Sequence, residues 1–335
     1  WPVTQSENAM PANTLLTTTP IVRLAEDVED KIYNFRPTDT PLASSISSTK
    51  VEANLHEWTA DEYRTPNADN AAIEGADATF VIPTQPKVYS NRNQIFQDTV
   101  SVSGTAEAVK KYGRASEIAR LKTKKLIELK KDMEAAFISN PVAVTGTGAV
   151  ASKLRGLYGW IATNNSLGAT GVAPDPTTNT GPTAGTLRPF IEDYLKTVIR
   201  AVYENGGDAS VLMVSPQHKQ RVSTFTGNVQ RTNEVANKSR NEVVLRTSFT
   251  IYGHDFGETK VVPNRVMTGS RAGLVNTSYV IDYDKIKRGS LRGMQSQKLA
   301  NVGDSEQWQM LTEVSLVVGQ ESTLGAIRDL TVTGA

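Results

Sequence analysis

The chain has 335 residues, 39% hydrophobic and 21% charged, which is enough to bury a sizeable core over about two domains and too apolar for a disordered protein. Its 36 basic and 35 acidic residues leave a net charge of +1, so any pull toward nucleic acid or a membrane surface must be local. It contains no cysteine, which excludes disulfides and thiolate metal sites.

No apolar run reaches the roughly 18 residues a bilayer span needs, and the first residues lack the basic and apolar regions of a signal peptide, so the chain reads as cytosolic with no membrane partner. Residues 10–49 are rich in Thr, Ser and Pro around one amphipathic stretch, IVRLAEDVEDKIYNF, and are expected to lie on another surface rather than form a core. From Lys50 to Thr99 come short β-like pieces, VEANLHEWTADEY, ATFVIPT and KVYSNRNQIFQDTV, separated by Pro and Gly turns. They predict a long two-stranded excursion. Between Lys50 and Thr79 it carries seven acids against two bases, −5, and a ribbon this polar is marginal in water by itself. Trp58 and Phe80 are its natural anchors, on a neighbouring copy or on the parent domain.

A long helix follows, within 113–140. Ile118, Leu121, Leu126, Leu129, Met133 and Phe137 fall on one arc at 3.6 residues per turn, and Asn140-Pro141 stops it. About 25 residues at 1.5 Å each make it roughly 40 Å long. Between Lys110 and Lys131 the bases Lys110, Lys111, Arg114, Arg120, Lys122, Lys124, Lys125, Lys130 and Lys131 stand against Glu117 and Glu128, which gives that span +7. Such a face is either solvated or meets something acidic.

Residues 141–186 are Gly, Thr, Pro and Asn loops around LRGLYGWI. Gly146 and Gly148 lack the rest of a dinucleotide or Walker motif, so no nucleotide cofactor is expected. A helix in LRPFIEDYLKTVIRAVYEN should close at Gly206-Gly207, followed by a buried strand SVLMVS and a helix starting at Pro216. Strands VVLRTSFTIYG, ETKVVPN and TSYVIDY complete an α+β domain, and residues 287–335 return to β with EQWQMLTEVSLVVGQ and GAIRDLTVT.

Chemistry finds little support. His56, His218 and His254 sit on three separate segments with no Gly-x-Ser-x-Gly elbow. Asp282 with Asp284, and Asp255 with Glu258, could bind a hard cation but fit solvated turns better. No nucleic-acid recognition motif accompanies the basic helix. No catalytic, cofactor or metal residue is assigned, and the neutral total with oppositely charged arm and helix suits a protein that binds copies of itself.

Seven stretches carry a family resemblance: Asp39-Thr-Pro41; Trp58 with Asp61; Glu74-Gly75; Tyr112-Gly-Arg114; Glu128-Leu-Lys-Lys-Asp-Met-Glu134; Leu154-Arg-Gly-Leu157; and Leu299-Ala-Asn-Val-Gly-Asp-Ser-Glu306. In this order the chain resembles the major capsid proteins of tailed bacteriophages, with the α+β Hong Kong 97-like (Johnson) fold. The resemblance implies an N-terminal arm at 1–38, an extended loop at 39–103, a spine helix within 104–140, a peripheral domain from 141–185 and 287–335, and an axial domain at 186–286. It also implies pentamers and hexamers of this chain in an icosahedral shell around double-stranded DNA, assembled in the host bacterial cytoplasm, with portal, scaffold and cement proteins as candidate partners. The assembly interface is then expected at Trp58, Asp61, Glu62, Glu74 and Asp77 of the loop and Arg114, Lys122, Lys124 and Lys125 of the helix. An encapsulin-like nanocompartment shell and an oligomeric α/β enzyme are the alternatives.

Overall fold

The computed structural model describes residues 39–75, 77–78, 80–112, 115–225, 250–301 and 303–332. The expected N-terminal arm, Arg114 and most of VVLRTSFTIYG lie outside them.

The described chain opens with a short helix α1 (Pro41–Ser45) and strand β1 (Ser47–Lys50). Strands β2 (Leu55–Ala60) and β3 (Lys87–Arg92) pair antiparallel and form the base of the excursion. The expected strand in ATFVIPT is absent among the described residues, and those described between β2 and β3 pair with no described strand. Strand β4 (Gln94–Ser103) and helix α2 (Gly104–Ala108) lead to the long helix α3 (Glu117–Ser139).

Helix α3 begins where Ser116 Oγ accepts from the Ala119 N–H at 3.2 Å and ends at Asn140, before Pro141. Of the expected apolar arc, Ile118, Leu129, Met133 and Phe137 are buried, and Leu121 and Leu126 pack half-buried against the same core. Its last two turns also bury Glu134, Ala136, Ile138 and Ser139, because α1, α4 (Leu157–Trp160) and a later helix close around them.

Strand β5 (Asn164–Ser166), helix α5 (Glu192–Glu204), strand β6 (Val211–Val214) and helix α6 (Pro216–Val222) follow. Helix α5 stops as expected: Gly206 takes φ +77°, and a Cβ on Gly207 would sit 2.5 Å from the Thr323 carbonyl oxygen. Strands β7 (Ile251–His254), β8 (Gly257–Pro263) and β9 (Ser278–Ile281) flank helix α7 (Ala272–Val275). The chain closes with β10 (Ile286–Lys298), β11 (Ser305–Val318) and β12 (Gly325–Ile327).

Two larger sheets result. One runs β1-β10-β11-β4, and helix α3 lies against its β4 and β11 strands. The other is mixed, in the order β5-β12-β9-β6-β8-β7. Its strands have period-2 side chains, so Val211, Met213, Tyr279 and Ile281 join the core under α3, while Leu212, Val214 and Val280 join the core under α5 and α6. The chain passes from this sheet to the first between β9 and β10, next to the division expected at 286/287, whereas β5 and β12 of the expected peripheral segments stand in the second sheet beside β6 to β9. Among the described residues no helix is long and apolar enough to cross a membrane.

Candidate assembly surface

The root of the excursion is tied to its own body. Trp58 Nε1 donates to the Val318 carbonyl at 2.8 Å, and its ring packs on buried Trp160 at 5.3 Å between centroids. Tyr89 meets the same Trp160 edge-on at 5.9 Å. One strand on, Asn91 is fully buried: its Nδ2 donates to Leu316 O at 2.7 Å and Arg155 O at 3.0 Å, and its Oδ1 accepts from Arg155 N at 2.8 Å. Of the two places expected for it, Trp58 thus takes the parent domain, where it anchors the arm. An indole with a satisfied N–H and an apolar body is already placed where tryptophan is most stable.

Beyond Ala60 the picture reverses. Tyr63, Ile73, Phe80, Val81 and Ile82 are 82% or more exposed. Asp61, Glu62, Glu74 and Asp77 are exposed as well, and among the described residues only Glu62 of these has a charged partner, Lys87 at 3.1 Å. That ion pair holds the Lys87 ammonium above the usual lysine range, through its hydrogen bond to Glu62. The sequence picks out Phe80; Val81 and Ile82 stand with it in ATFVIPT and Tyr63 ends VEANLHEWTADEY, whereas Ile73 falls in none of the β-like pieces.

The basic helix is less free than its count of charges suggests. Lys122 Nζ sits 3.4 Å from the centre of the Trp308 ring, a cation–π contact with β11. Lys125 pairs with Glu128 at 2.9 Å and with Asp98 of β4 at 3.1 Å, and these partners raise its pKa. Lys111 reaches Glu107 at 3.7 Å, and Arg120 pairs with Glu117. Lys124, 3.9 Å from Glu128, keeps 58% of its side-chain surface exposed. Lys122 and Lys125 thus already have partners within their own copy, Trp308 of β11 and Asp98 of β4 with Glu128, which a linear charge count does not reveal. Only Lys124 of the three remains open, and such exposed pairs are worth about 0–1 kcal/mol.

The histidines are dispersed, as their spacing in the sequence suggests. The His56 ring lies tilted beside Trp58 at 5.7 Å between centroids, and His254 shares a 3.0 Å hydrogen bond with Thr259. Burial lowers His218 to a pKa of about 4, and its Nδ1 lies 3.2 Å from Ser278 Oγ. Asp282 accepts from the Asp284 N–H at 3.0 Å as a turn cap, and Asp255 and Glu258 are exposed. Among the described residues no three of His, Cys, Asp and Glu gather as metal ligands.

A body whose arm is rooted by Trp58 and left apolar at its far end is shaped to meet other proteins. The sequence profile of the SU10 major capsid protein family matches residues 6–331. The chain belongs to that family. The major capsid protein of Escherichia phage Phieco32 is 24% identical over 326 residues, covering 84% of this chain and 87% of the phage protein. The capsid protein of cyanophage A-1(L) superposes with a TM-score of 0.63 at 14% identity, over 92% of this chain and 97% of the other. The Mycobacterium phage Adephagia chain gives 0.58 at 13% identity, over 93% and 96%. The holo-SrpI encapsulin complex of Synechococcus elongatus shares the fold at a TM-score of 0.53 and 11% identity, over 93% and 94%. The chain is thus a tailed-phage major capsid protein with the Hong Kong 97-like α+β fold, a structural protein of the virion that builds a shell from copies of itself.

Proposed function

We propose that copies of this capsid protein form pentamers and hexamers through the region 186–286, and that these close into an icosahedral shell around double-stranded DNA. The extended loop of each copy lies on the body of its neighbour, the protein performs no catalysis, and DNA contact is non-specific through scattered Lys and Arg. Portal, scaffold and cement proteins are its candidate partners, and assembly takes place in the host bacterial cytoplasm.

The observation that carries this reading is the exposure of Phe80, Val81 and Ile82, at 96%, 86% and 87%, on an arm with no partner strand of its own. Soluble monomers rarely leave contiguous apolar surface open unless it meets something. Covering each of these side chains contributes roughly 1.5–3 kcal/mol, which exceeds what exposed ion pairs supply. Adhesion therefore comes from the apolar part of the arm, and its acids −Asp61, Glu62, Glu74 and Asp77− set orientation.

Replacing residues 62–86 by a short turn tests this. The variant should keep the far-ultraviolet circular dichroism of the subunit, because Trp58 and Asn91 still root the β2–β3 base, yet sediment as free subunits where the full chain forms closed particles. Closed particles from the shortened chain would contradict the proposal.

A further inference from the structure

The Gly, Thr, Pro and Asn segment that the sequence marks as loop is built, from residue 168 to residue 186, as a fastened hairpin. Val172 and Thr183 exchange backbone hydrogen bonds at 3.1 Å, and Asp175 and Thr180 at 3.0 Å. Asp329 clamps the base: its buried carboxylate accepts from the Gly168 and Gly185 N–H groups, each at 2.9 Å. The packing there leaves no room for a side chain, since a Cβ on Gly168 would lie 2.2 Å from the Thr186 carbonyl oxygen. Among the described residues, every non-glycine residue with a positive φ belongs to this hairpin or its clamp: Thr170 at +66°, Asn179 at +56° and Asp329 at +58°. Such backbone persists only where the surroundings over-determine it, and it gathers at clamps and switch regions.

The hairpin tip is docked just past the end of α3. Asn179 Oδ1 accepts from the Ala143 N–H at 3.0 Å, and its Nδ2 donates to the Ala143 carbonyl at 2.7 Å. The same Oδ1 accepts from Nη2 of Arg155, and the Pro176 carbonyl accepts from Nη1 at 2.7 Å. Arg155 is buried, its Nε has no partner, and neutral oxygens of the hairpin are what hold its guanidinium.

Arg155 also adjoins the root of the arm. Its guanidinium carbon stands 5.0 Å from the centre of the Trp160 ring, on which Trp58 of β2 and Tyr89 of β3 pack. Its main chain is bonded in both directions to the side chain of Asn91 in β3. Contacts therefore run without a break from the hairpin tip through Arg155 to both strands of the root. The two limbs of the excursion, about 13 residues each, reach at most about 40 Å, so a turn of about 10° at the root carries the far end by roughly 7 Å. That exceeds the spacing of about 4.8 Å between paired strands, enough to miss a register. We infer that residues 168–186 form a strap that sets the direction in which the arm leaves its own body, with Arg155 as the positioning residue between strap and root. Its bearing on assembly rests on the reading that the arm lies on a neighbour, whereas the strap itself is a property of the single subunit.

The chain has no cysteine, so a pair of spin labels can be placed without background. With Thr65→Cys just beyond the root and Glu204→Cys on α5, both exposed, pulsed electron spin resonance on unassembled subunits reads the spread of arm directions. Asn179→Gly keeps the positive φ and removes the amide that grips Arg155 and Ala143. Arg155→Met keeps an apolar stem over Trp160 and removes the guanidinium. Each should widen the distance distribution by about twofold or more, and the double variant should be no wider than either, because both break one path. Measuring well below every melting temperature keeps stability out of the reading. An Asn179→Gly distribution as narrow as the original, even in a protein that melts earlier, overturns the strap, and it does so whether or not Arg155→Met folds. Widths that add in the double variant overturn Arg155 as the link. In assembly, Asn179→Gly should give particles of mixed diameter where the original gives one, and a single unchanged diameter overturns the strap's part in assembly. The reading that the arm lies on a neighbour is judged apart from this, by the chain shortened at residues 62–86.

Discussion

Glu134→Ala is expected to cost the subunit about 3–5 kcal/mol, a large part of the stability of any domain. Glu134 is fully buried in the last turns of α3, and its carboxylate closes a latch over three segments. Oε1 accepts from the Leu42 N–H at 2.9 Å and from Asn264 Nδ2 at 2.7 Å, and Oε2 accepts from the Ala43 N–H at 2.7 Å. Leu42 and Ala43 lie in the first turn of α1, whose cap residue Thr40 supplies no side-chain acceptor, so Glu134 does a capping residue's work from 91 positions away. Burial pushes its carboxyl above the usual carboxylate range, and the three donors pull against that shift. Removing the side chain strands all three donors and opens a void, each orphaned donor costing about 1–3 kcal/mol before relaxation. Glu134→Gln keeps the volume and one acceptor but presents an amide N–H₂ to the Ala43 N–H, and should lose about 1–3 kcal/mol. Chemical denaturation followed by tryptophan fluorescence measures both. A loss below 1 kcal/mol for the alanine variant would mean that the latch does not hold α1 to the long helix.

Gly159→Ala is expected to be at least as damaging, above about 3 kcal/mol, and to show as insoluble or temperature-sensitive protein. A Cβ at this position would lie 2.0 Å from the Pro141 carbonyl oxygen and 2.7 Å from its carbon. Both are backbone atoms just past the end of α3, fixed by the Asn140 side chain donating to Leu154 O at 3.0 Å, so neither can swing aside. Gly156 is nearly as confined, with its Cβ position 2.5 Å from the Ala136 carbonyl oxygen. Gly148→Ala, with nothing within 4 Å, is the matched control and should change stability by less than about 0.5 kcal/mol. Equal melting temperatures for G159A and G148A would refute this packing.

These two positions mark the limit of what the amino-acid order discloses. The periodicity of α3, its stop at Asn140-Pro141, the closing of α5 at Gly206 and the buried run of β6 are local signals, and each appears at the expected place. Strand β10 was not singled out, because RGSLRGMQSQK neither alternates nor favours β. It becomes a strand through pairing with β11, with register shifts after Ser290 and Arg292. Glu134 stands inside a stretch that carries the family resemblance and Gly159 just past another, Leu154-Arg-Gly-Leu157, yet their roles depend on α1, Asn264 and the end of α3, which neither stretch contains. The arm's character was visible in its composition. Trp58 is legible as its anchor, but the partner is not: the Val318 carbonyl that fixes the indole is 260 residues away. The positive charge of α3 was overcounted for the same reason, since Asp98 and Trp308 meet Lys125 and Lys122 only once β4 and β11 pair beneath the helix.

The account turns on where residues 61–86 go when the shell closes. A single-particle reconstruction of assembled particles, at a resolution that shows side chains, reads this directly. The account predicts Trp58 still donating to Val318 within its own copy, and Phe80, Val81 and Ile82 covered by a neighbouring copy. Particles in which those three side chains remain in solvent, or fold back onto their own body, would contradict it.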